Sequence, residues 1–222
     1  MTIRLRRMTT SLVVAGVLFS AGIAAAQPPP ADQTAQERAA AEAEVPRLAE
    51  LLSVQRGATV ADVGAGFGAM SIVMAKWLGP QGRVLATDVA ARQLAEIRDY
   101  AKREGVNTIT VIESAAASSN LPAGCCDAIF IRDVYHHLTA TEPFNRTLRA
   151  ALKPGGRLAI IDFQPDPGSK LSAGVNPNRG GHGIPRQLVI DELTAAGFVH
   201  ERTIERWPEP QGQSFLVLFR TP

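Results

Sequence analysis

Short apolar runs rich in β-branched residues alternate along this chain with segments whose apolar residues recur every three or four positions. The alternation predicts strands at about 59–63, 83–87, 108–112, 127–131, 157–162, 198–205 and 214–220. It predicts helices at about 69–78, 91–103, 141–152 and 186–196 between them. Ahead of the first strand, Asp32 is placed to cap a helix running to about Ala43. Pro46 is placed in the first turn of a second helix that reaches Ser53. Lys153-Pro154-Gly155-Gly156 reads as the stop of the third interstrand helix. Strands separated by helices imply a parallel sheet covered on both faces. The last two strands have no helix between them, so they should pair antiparallel. The fold class is therefore α/β, a Rossmann-like doubly wound sheet of seven strands, mostly parallel with an antiparallel last strand. Phe163 to Pro185 has no periodicity, and a loop of that length in a compact domain is usually functional or disordered.

The organising stretch is Val60 to Ser71. A buried strand ends at Asp62-Val63, and Gly64, Gly66 and Gly68 follow at every second position before a helix begins. Glycines at this spacing let the backbone turn sharply and approach a ligand closely. The helix behind them directs its N-terminal N–H groups at whatever sits there. Open parallel sheets bind ligands beyond the carboxyl ends of their strands. Asp62, Asp88, Asp133 and Asp162 all fall at that edge. Asp88 lies 24 residues beyond Gly64, where an acid accepts hydrogen bonds from the ribose hydroxyls of an adenosine; capping of the next helix is its structural alternative. Gly64-Ala65-Gly66-Phe67-Gly68-Ala69 fits the dinucleotide pattern G-x-G-x-x-G/A, so a nicotinamide-dependent oxidoreductase is one reading.

Asp62 to Gly68 also spells D-x-G-x-G-x-G, and here the chain resembles the class I S-adenosylmethionine-dependent methyltransferases. Leu121-Pro122-Ala123-Gly124 before the fourth strand, Val134-Tyr135-His136-His137-Leu138 after it, and Leu152-Lys153-Pro154-Gly155-Gly156 before the fifth carry the resemblance on, from roughly Val45 to Arg220. The Tyr-His-His-Leu passage and Gly181-His182-Gly183 are similar to those of exported bacterial methyltransferase-like proteins. The resemblance implies S-adenosyl-L-methionine as cofactor, held by Asp62, Gly64, Ala65, Gly66, Gly68, Asp88, Val89, Ala115 and Asp133. It implies methyl transfer to an acceptor, expected to be a small molecule. The family often has an acid after the third strand that contacts the adenine amino group. Here that loop reads Ser114-Ala115-Ala116-Ala117, which leaves adenine to backbone groups.

Methyl transfer needs a nucleophile aligned with an already activated carbon, and sometimes removal of a proton. His136, His182, Asp133 and Tyr135 are the catalytic candidates, with His137 beside them. The long loop is expected to fold over the strand ends as a lid that presents His182. Packing and turn-capping are the competing roles for Tyr135 and Asp133.

Charge narrows the picture further. The first 26 residues hold Arg4, Arg6 and Arg7 and no acid, and removing them leaves 20 basic and 21 acidic residues. A near-neutral chain argues against a nucleic-acid partner. Arg4 to Arg7, the apolar run Leu12 to Ile23 and Ala24-Ala25-Ala26 read as a secretory signal peptide over residues 1–26, too short to span a membrane comfortably. A proline-rich linker at 27–31 and a methyltransferase domain at 32–222 follow, so the expected location is exported and periplasmic, with no stable membrane span after cleavage. Cofactor is made in the cytoplasm, which makes a non-catalytic exported binding protein a further alternative. Cys125 and Cys126 are adjacent and read as small turn residues, because a vicinal bridge is strained. Neither they nor the four histidines show metal-ligand spacing, so no metal site is expected.

Overall fold

The computed structural model describes residues 31–222 except 167, 172, 177, 178 and 180, with the side chains of 31–34 also outside the description. The signal-peptide and linker segments of the sequence reading thus lie outside the described residues, apart from position 31. The sheet is built from β1 (Thr59–Val63), β2 (Arg83–Asp88), β3 (Ile109–Glu113), β4 (Cys126–Arg132), β5 (Leu152–Asp162), β6 (Val199–Trp207) and β7 (Ser214–Arg220). Their order across the sheet is β3-β2-β1-β4-β5-β7-β6. β7 runs antiparallel to both β5 and β6, and the pairings among β1 to β5 are parallel. The helices are α1 (Ala31–Leu51), α2 (Ala69–Leu78), α3 (Ala91–Arg103), α4 (Thr141–Ala151) and α5 (Arg186–Ala195), with a 3₁₀ turn at Tyr135–His137.

The two-residue period of the strands divides the core cleanly. Ala61, Val63, Ile129, Ile131, Leu158 and Ile160 face α4 and α5. Val60, Val84, Ala128, Phe130, Ala159 and Ile161 face α1 and α2. Strands buried on both faces account for the continuous apolar runs of the sequence.

Two boundaries differ from the sequence reading. The expected pair of helices around Pro46 is one helix, α1, with Pro46 inside it. Proline in a helix interior removes a hydrogen bond and costs ~3 kcal/mol. Pro46 stands on the exposed side, however, while Ala41, Glu44, Val45, Leu48 and Ala49 form one unbroken buried stripe through that point. Packing of that stripe outweighs the local break. Lys153 to Gly156 do not lie in a connection between helix and strand but belong to β5, which starts at Leu152 opposite Cys126 and takes up a register shift before Arg157 pairs with Ala128. Gly155 adopts φ 73°, and a Cβ on Gly156 would stand 2.9 Å from the Lys153 carbonyl, so the glycines serve this bulge.

Candidate functional site

At the carboxyl edge of β1, β2 and β4, two cavities of about 460 and 360 Å³ lie on either side of Gly64 and Val134, which line both. The first holds Asp62, Ala65, Gly66, Arg132 and Asp133, roofed by Gln36, Glu37 and Ala40 of α1. The second holds Asp88, Val89, Ser114, Ala115, His137, Leu138 and Phe144. The glycines of the turn have separate tasks. A Cβ on Gly64 would come within 2.6 Å of Val134, so this glycine lets the turn pass under the β4 loop. A Cβ on Gly68 would press on Ile97 of α3 at 3.1 Å. Gly66, at φ 55°, faces open space, which is what a position closely approached by a ligand requires.

The amides of this turn are already engaged. Gly64 and Ala65 both donate to the Thr87 carbonyl, at 2.8 and 2.9 Å, and Gly66 donates to Asp88 Oδ2 at 3.0 Å. These three N–H groups, which precede the N-terminus of α2 at Ala69, are therefore not free to meet a ligand. A dinucleotide site needs such amides for its pyrophosphate. Here the first cavity is lined by the carboxyl groups of Glu37, Asp62 and Asp133 and, among the described residues, by the one cation of Arg132, a field suited to a cationic ligand.

Asp62 is 3% exposed, and the Ser71 hydroxyl donates to its Oδ2 at 2.6 Å. Burial pushes its carboxyl up to about 7, against the lowering effect of the Ser71 bond, and neighbouring Asp88 raises it further. Asp88 accepts from Ala90 N–H at 3.0 Å as well as from Gly66; the N-cap of α3 is Ala90, without a side-chain cap bond, and Asp88 lines the second cavity. Val89 is 63% exposed and presents an apolar surface beside Asp88. Ala115 lines the same cavity, and its N–H donates to the Ser118 carbonyl at 2.8 Å.

The segment after β4 sorts the acceptor-side candidates. Asp133 adopts φ 56°, receives Arg132 Nη1 on Oδ2 at 2.6 Å, and leaves Oδ1 buried without a partner among the described residues. Burial raises its carboxyl above the ordinary range, and Arg132 opposes the rise. It does not cap the following turn; Asp162 does, accepting His136 N–H at 3.1 Å. Arg132 is itself held by Glu44 of α1 at 2.8 and 3.1 Å, and Glu44 also accepts Trp207 Nε1–H at 2.8 Å. This buried knot fixes α1 over the first cavity. Tyr135 is not a site residue, contrary to the sequence reading. It is fully buried, its hydroxyl accepts from Asn145 Nδ2 at 2.7 Å, and its ring lies under the Arg179 guanidinium. Burial, with Glu192 beyond, pushes its hydroxyl well above the ordinary tyrosine range, so it keeps its proton.

His136 and His182, far apart in sequence, stand with ring centroids 4.9 Å apart, and His137 is 3.9 Å from His136. The expectation of no metal-type constellation is overturned here, because ligand nitrogens of these three histidines lie within 4.8 Å of one another. Local spacing missed it because the third member arrives on the loop after β5. His136 is 3% exposed, and its Nδ1 lies 2.9 and 3.1 Å from the two oxygens of Asp162. A carboxylate only accepts, so Nδ1 carries a proton, and in the neutral imidazole Nε2 is the nitrogen left with a lone pair. Partial desolvation and the two neighbouring imidazoles lower the pKa of His137.

The loop that brings His182 is docked. Arg179, buried, ion-pairs with Glu192 of α5 and donates from Nη2 to the Tyr135 carbonyl at 2.9 Å. Ile184 N–H donates to the Phe163 carbonyl, and Asp166 N–H to the His182 carbonyl. Sequence reasoning assigned no role to Arg179 or Ser71, and noted Asp162 only as a strand end. An acid closing an apolar strand beside a His-His turn was the one available signal for the last.

Residues 60–156 match a family model described as a methyltransferase domain. The chain is 29% identical over 124 residues to the ubiquinone/menaquinone biosynthesis C-methyltransferase UbiE of Pseudomonas paraeruginosa, covering 55% of this chain and 48% of that protein. It is 32% identical over 113 residues to the demethylmenaquinone methyltransferase of Listeria welshimeri, covering 51% and 48%. The chain thus spans about half the length of these relatives. Among solved structures, a SAM-dependent methyltransferase from Aquifex aeolicus shares the fold, with a TM-score of 0.68 at 23% identity over 86% of this chain and 98% of that one.

Proposed function

We propose that this chain, whose residues 60–156 match a methyltransferase-domain model and whose fold is shared with a SAM-dependent methyltransferase, is a class I S-adenosylmethionine-dependent methyltransferase that transfers a methyl group from S-adenosyl-L-methionine to a small-molecule acceptor. The observation that carries this reading is the divided cleft, in which Gly64 and Val134 separate an acid-lined cavity at Asp62 from an apolar-walled one at Asp88. In this reading the ribose hydroxyls lie on Asp88, and Val89 and Ala115 flank the adenine. The first cavity beyond Gly66 would hold the methionine end, with the buried Asp62 set to take its ammonium group and Asp133 adding negative charge. Bound there, the cofactor supplies an electrophilic sulfonium methyl. The protein's own contribution is placement: α1 roofs the methionine end, and the Val134 loop sets where the acceptor approaches.

The acceptor reading rests on two supports. The relatives named above act, by their names, in quinone biosynthesis, and quinones are small molecules. The 3₁₀ turn places His137 in the lining of the cleft, with the His136 and His182 rings packed beside it. Export to the periplasm belongs to the same proposal and rests on residues 1–26 alone. The test is turnover of methyl-labelled S-adenosylmethionine with a cell extract as acceptor source, followed by identification of the labelled product. Labelling of a small molecule is expected. Binding of the cofactor with no labelled product from any extract would favour the non-catalytic alternative.

A further inference from the structure

We propose that His136, His137 and His182 form a binding site for one divalent transition-metal ion of the zinc class. The donor atoms already converge, within 4.8 Å of one another. Nitrogens sharing a tetrahedral zinc at about 2.0–2.1 Å stand roughly 3.3 Å apart. The remaining closure falls to His137 and His182, whose side chains are exposed.

Three features of the surroundings point to a ligand. First, His136 Nε2 is buried and lacks a hydrogen-bond partner among the described residues. Asp162 occupies the Nδ1 side, so Nε2 is the nitrogen left to the cluster. A buried nitrogen in this state loses its hydration without replacement unless something meets it. Second, Asp162 is itself fully buried and fixed by the N–H groups of His136 and Phe163. A carboxylate holding the far nitrogen of an imidazole is the usual outer support of a metal-bound histidine, setting both its tautomer and its ring orientation. Third, His182 is placed by glycines on both sides. A Cβ on Gly183 would meet the Gln164 carbonyl at 2.7 Å, and one on Gly181 would meet Ser169 Oγ at 2.8 Å. Ser169 Oγ also accepts the His182 N–H at 2.7 Å. These contacts lay the loop against Phe163 and bring the His182 ring to 4.9 Å from His136.

The donor set decides the class of ion. Three neutral imidazoles suit zinc, copper, nickel and cobalt, whereas magnesium and calcium require oxygen ligands. Three protein donors leave a fourth tetrahedral position open, the arrangement of reactive rather than purely structural sites. His137 also lines the second cavity with Gly64 and Asp88, so the ion stands at the rim of the cofactor cleft. With metal bound, His136 is a ligand and not a proton acceptor.

The test is direct and independent of methyl transfer. The full chain, free of any affinity tag, is stripped with chelator, exposed to one equivalent of Zn²⁺, desalted and analysed for metal, with affinity measured by chelator competition. One zinc per chain is expected. His182→Ala and His137→Ala, both at exposed positions, should weaken binding at least 100-fold. Asp162→Asn should weaken it roughly 10- to 100-fold while keeping one ion per chain. His200→Ala, on β6, should bind like the parent. Absence of retained zinc in the parent, or zinc retained with parent affinity by both His182→Ala and His137→Ala, would overturn the proposal.

Discussion

Asp62 and Asp162 make an instructive pair. Each ends or nearly ends a central parallel strand, β1 and β5, and each is buried, at 3% and 0% exposure. Their surroundings are opposite. Asp162 accepts the N–H groups of His136 and Phe163 and faces an imidazole donor, so its lone pairs are largely met within the protein. Asp62 has the Ser71 hydroxyl, faces a cavity, and has its carboxyl pushed by burial up to about 7. The first acid is finished by the fold and orients something else. The second has the Ser71 hydroxyl, and in the proposed reading the cavity in front of it takes the cofactor's ammonium group. Two buried aspartates at the same edge of one sheet thus serve different purposes, and the hydrogen-bond inventory tells them apart.

Breaking the finished side should have the largest effect on stability. Asp162→Ala strands the two N–H groups and the His136 ring in a buried site, with an expected cost of about 3 kcal/mol or more. For a domain of this size that lowers Tm by roughly 6–12 °C, readable by calorimetry. Next comes Gly66→Asp. Aspartate tolerates a positive φ, and the position faces open space, so the fold should survive. Its carboxylate would fill the cleft, and cofactor affinity should fall at least about 100-fold, or ~2.7 kcal/mol. Asp88→Ala should lose about 1.5–3 kcal/mol of cofactor binding, the worth of hydrogen bonds to a charged group. It also frees the Gly66 and Ala90 amides, so binding should be compared with Tm in the same preparation.

The unfinished side gives the most discriminating effect. The Asp62 carboxyl titrates at about 7 in the folded protein against an ordinary value of 3.8. Between those values the native state holds a proton that the unfolded chain has released. Stability should therefore fall as pH rises from about 4 to 7 and flatten above. Asp62→Asn removes that slope. The variant should match the parent near pH 4 and exceed it at pH 8, by roughly 2–4 °C in Tm for each kcal/mol recovered. It should bind cofactor less well at the same pH. A variant less stable than the parent at pH 8 would mean that Asp62 is a satisfied structural acid like Asp162.

How much of this could be read from the sequence follows from the range of each interaction. The glycine turn, the strands and most helices are local patterns, and D-x-G-x-G-x-G with Asp88 after it placed the cleft. The cis-acting signals misled where tertiary packing decides. Pro46 signals a helix start, yet a buried stripe carries α1 through it. Gly155 and Gly156 signal a helix stop, yet they serve a bulge in β5. Tyr135 sits beside true cleft residues, but the 3₁₀ turn points it into the core toward Asn145. The histidine cluster depends on where the loop after β5 docks, through Arg179 and the contacts made by Gly181 and Gly183, and no local spacing records that. Near-neutral charge bears only on partners: among the described residues no helix is long and apolar enough to cross a membrane.

The central claim is that the cleft split by Gly64 takes S-adenosyl-L-methionine with its ammonium against Asp62. Titration calorimetry of the full chain with this cofactor, at pH 6 and pH 8 and in buffers of different ionisation heat, tests it most directly. A cation beside Asp62 favours the ionised carboxyl, so binding should release a proton at pH 6, and affinity should be tighter at pH 8. One site per chain, pH-linked in this direction and lost in Gly66→Asp, is the predicted result. No binding heat at either pH, or binding by Gly66→Asp equal to that of the parent, would contradict it.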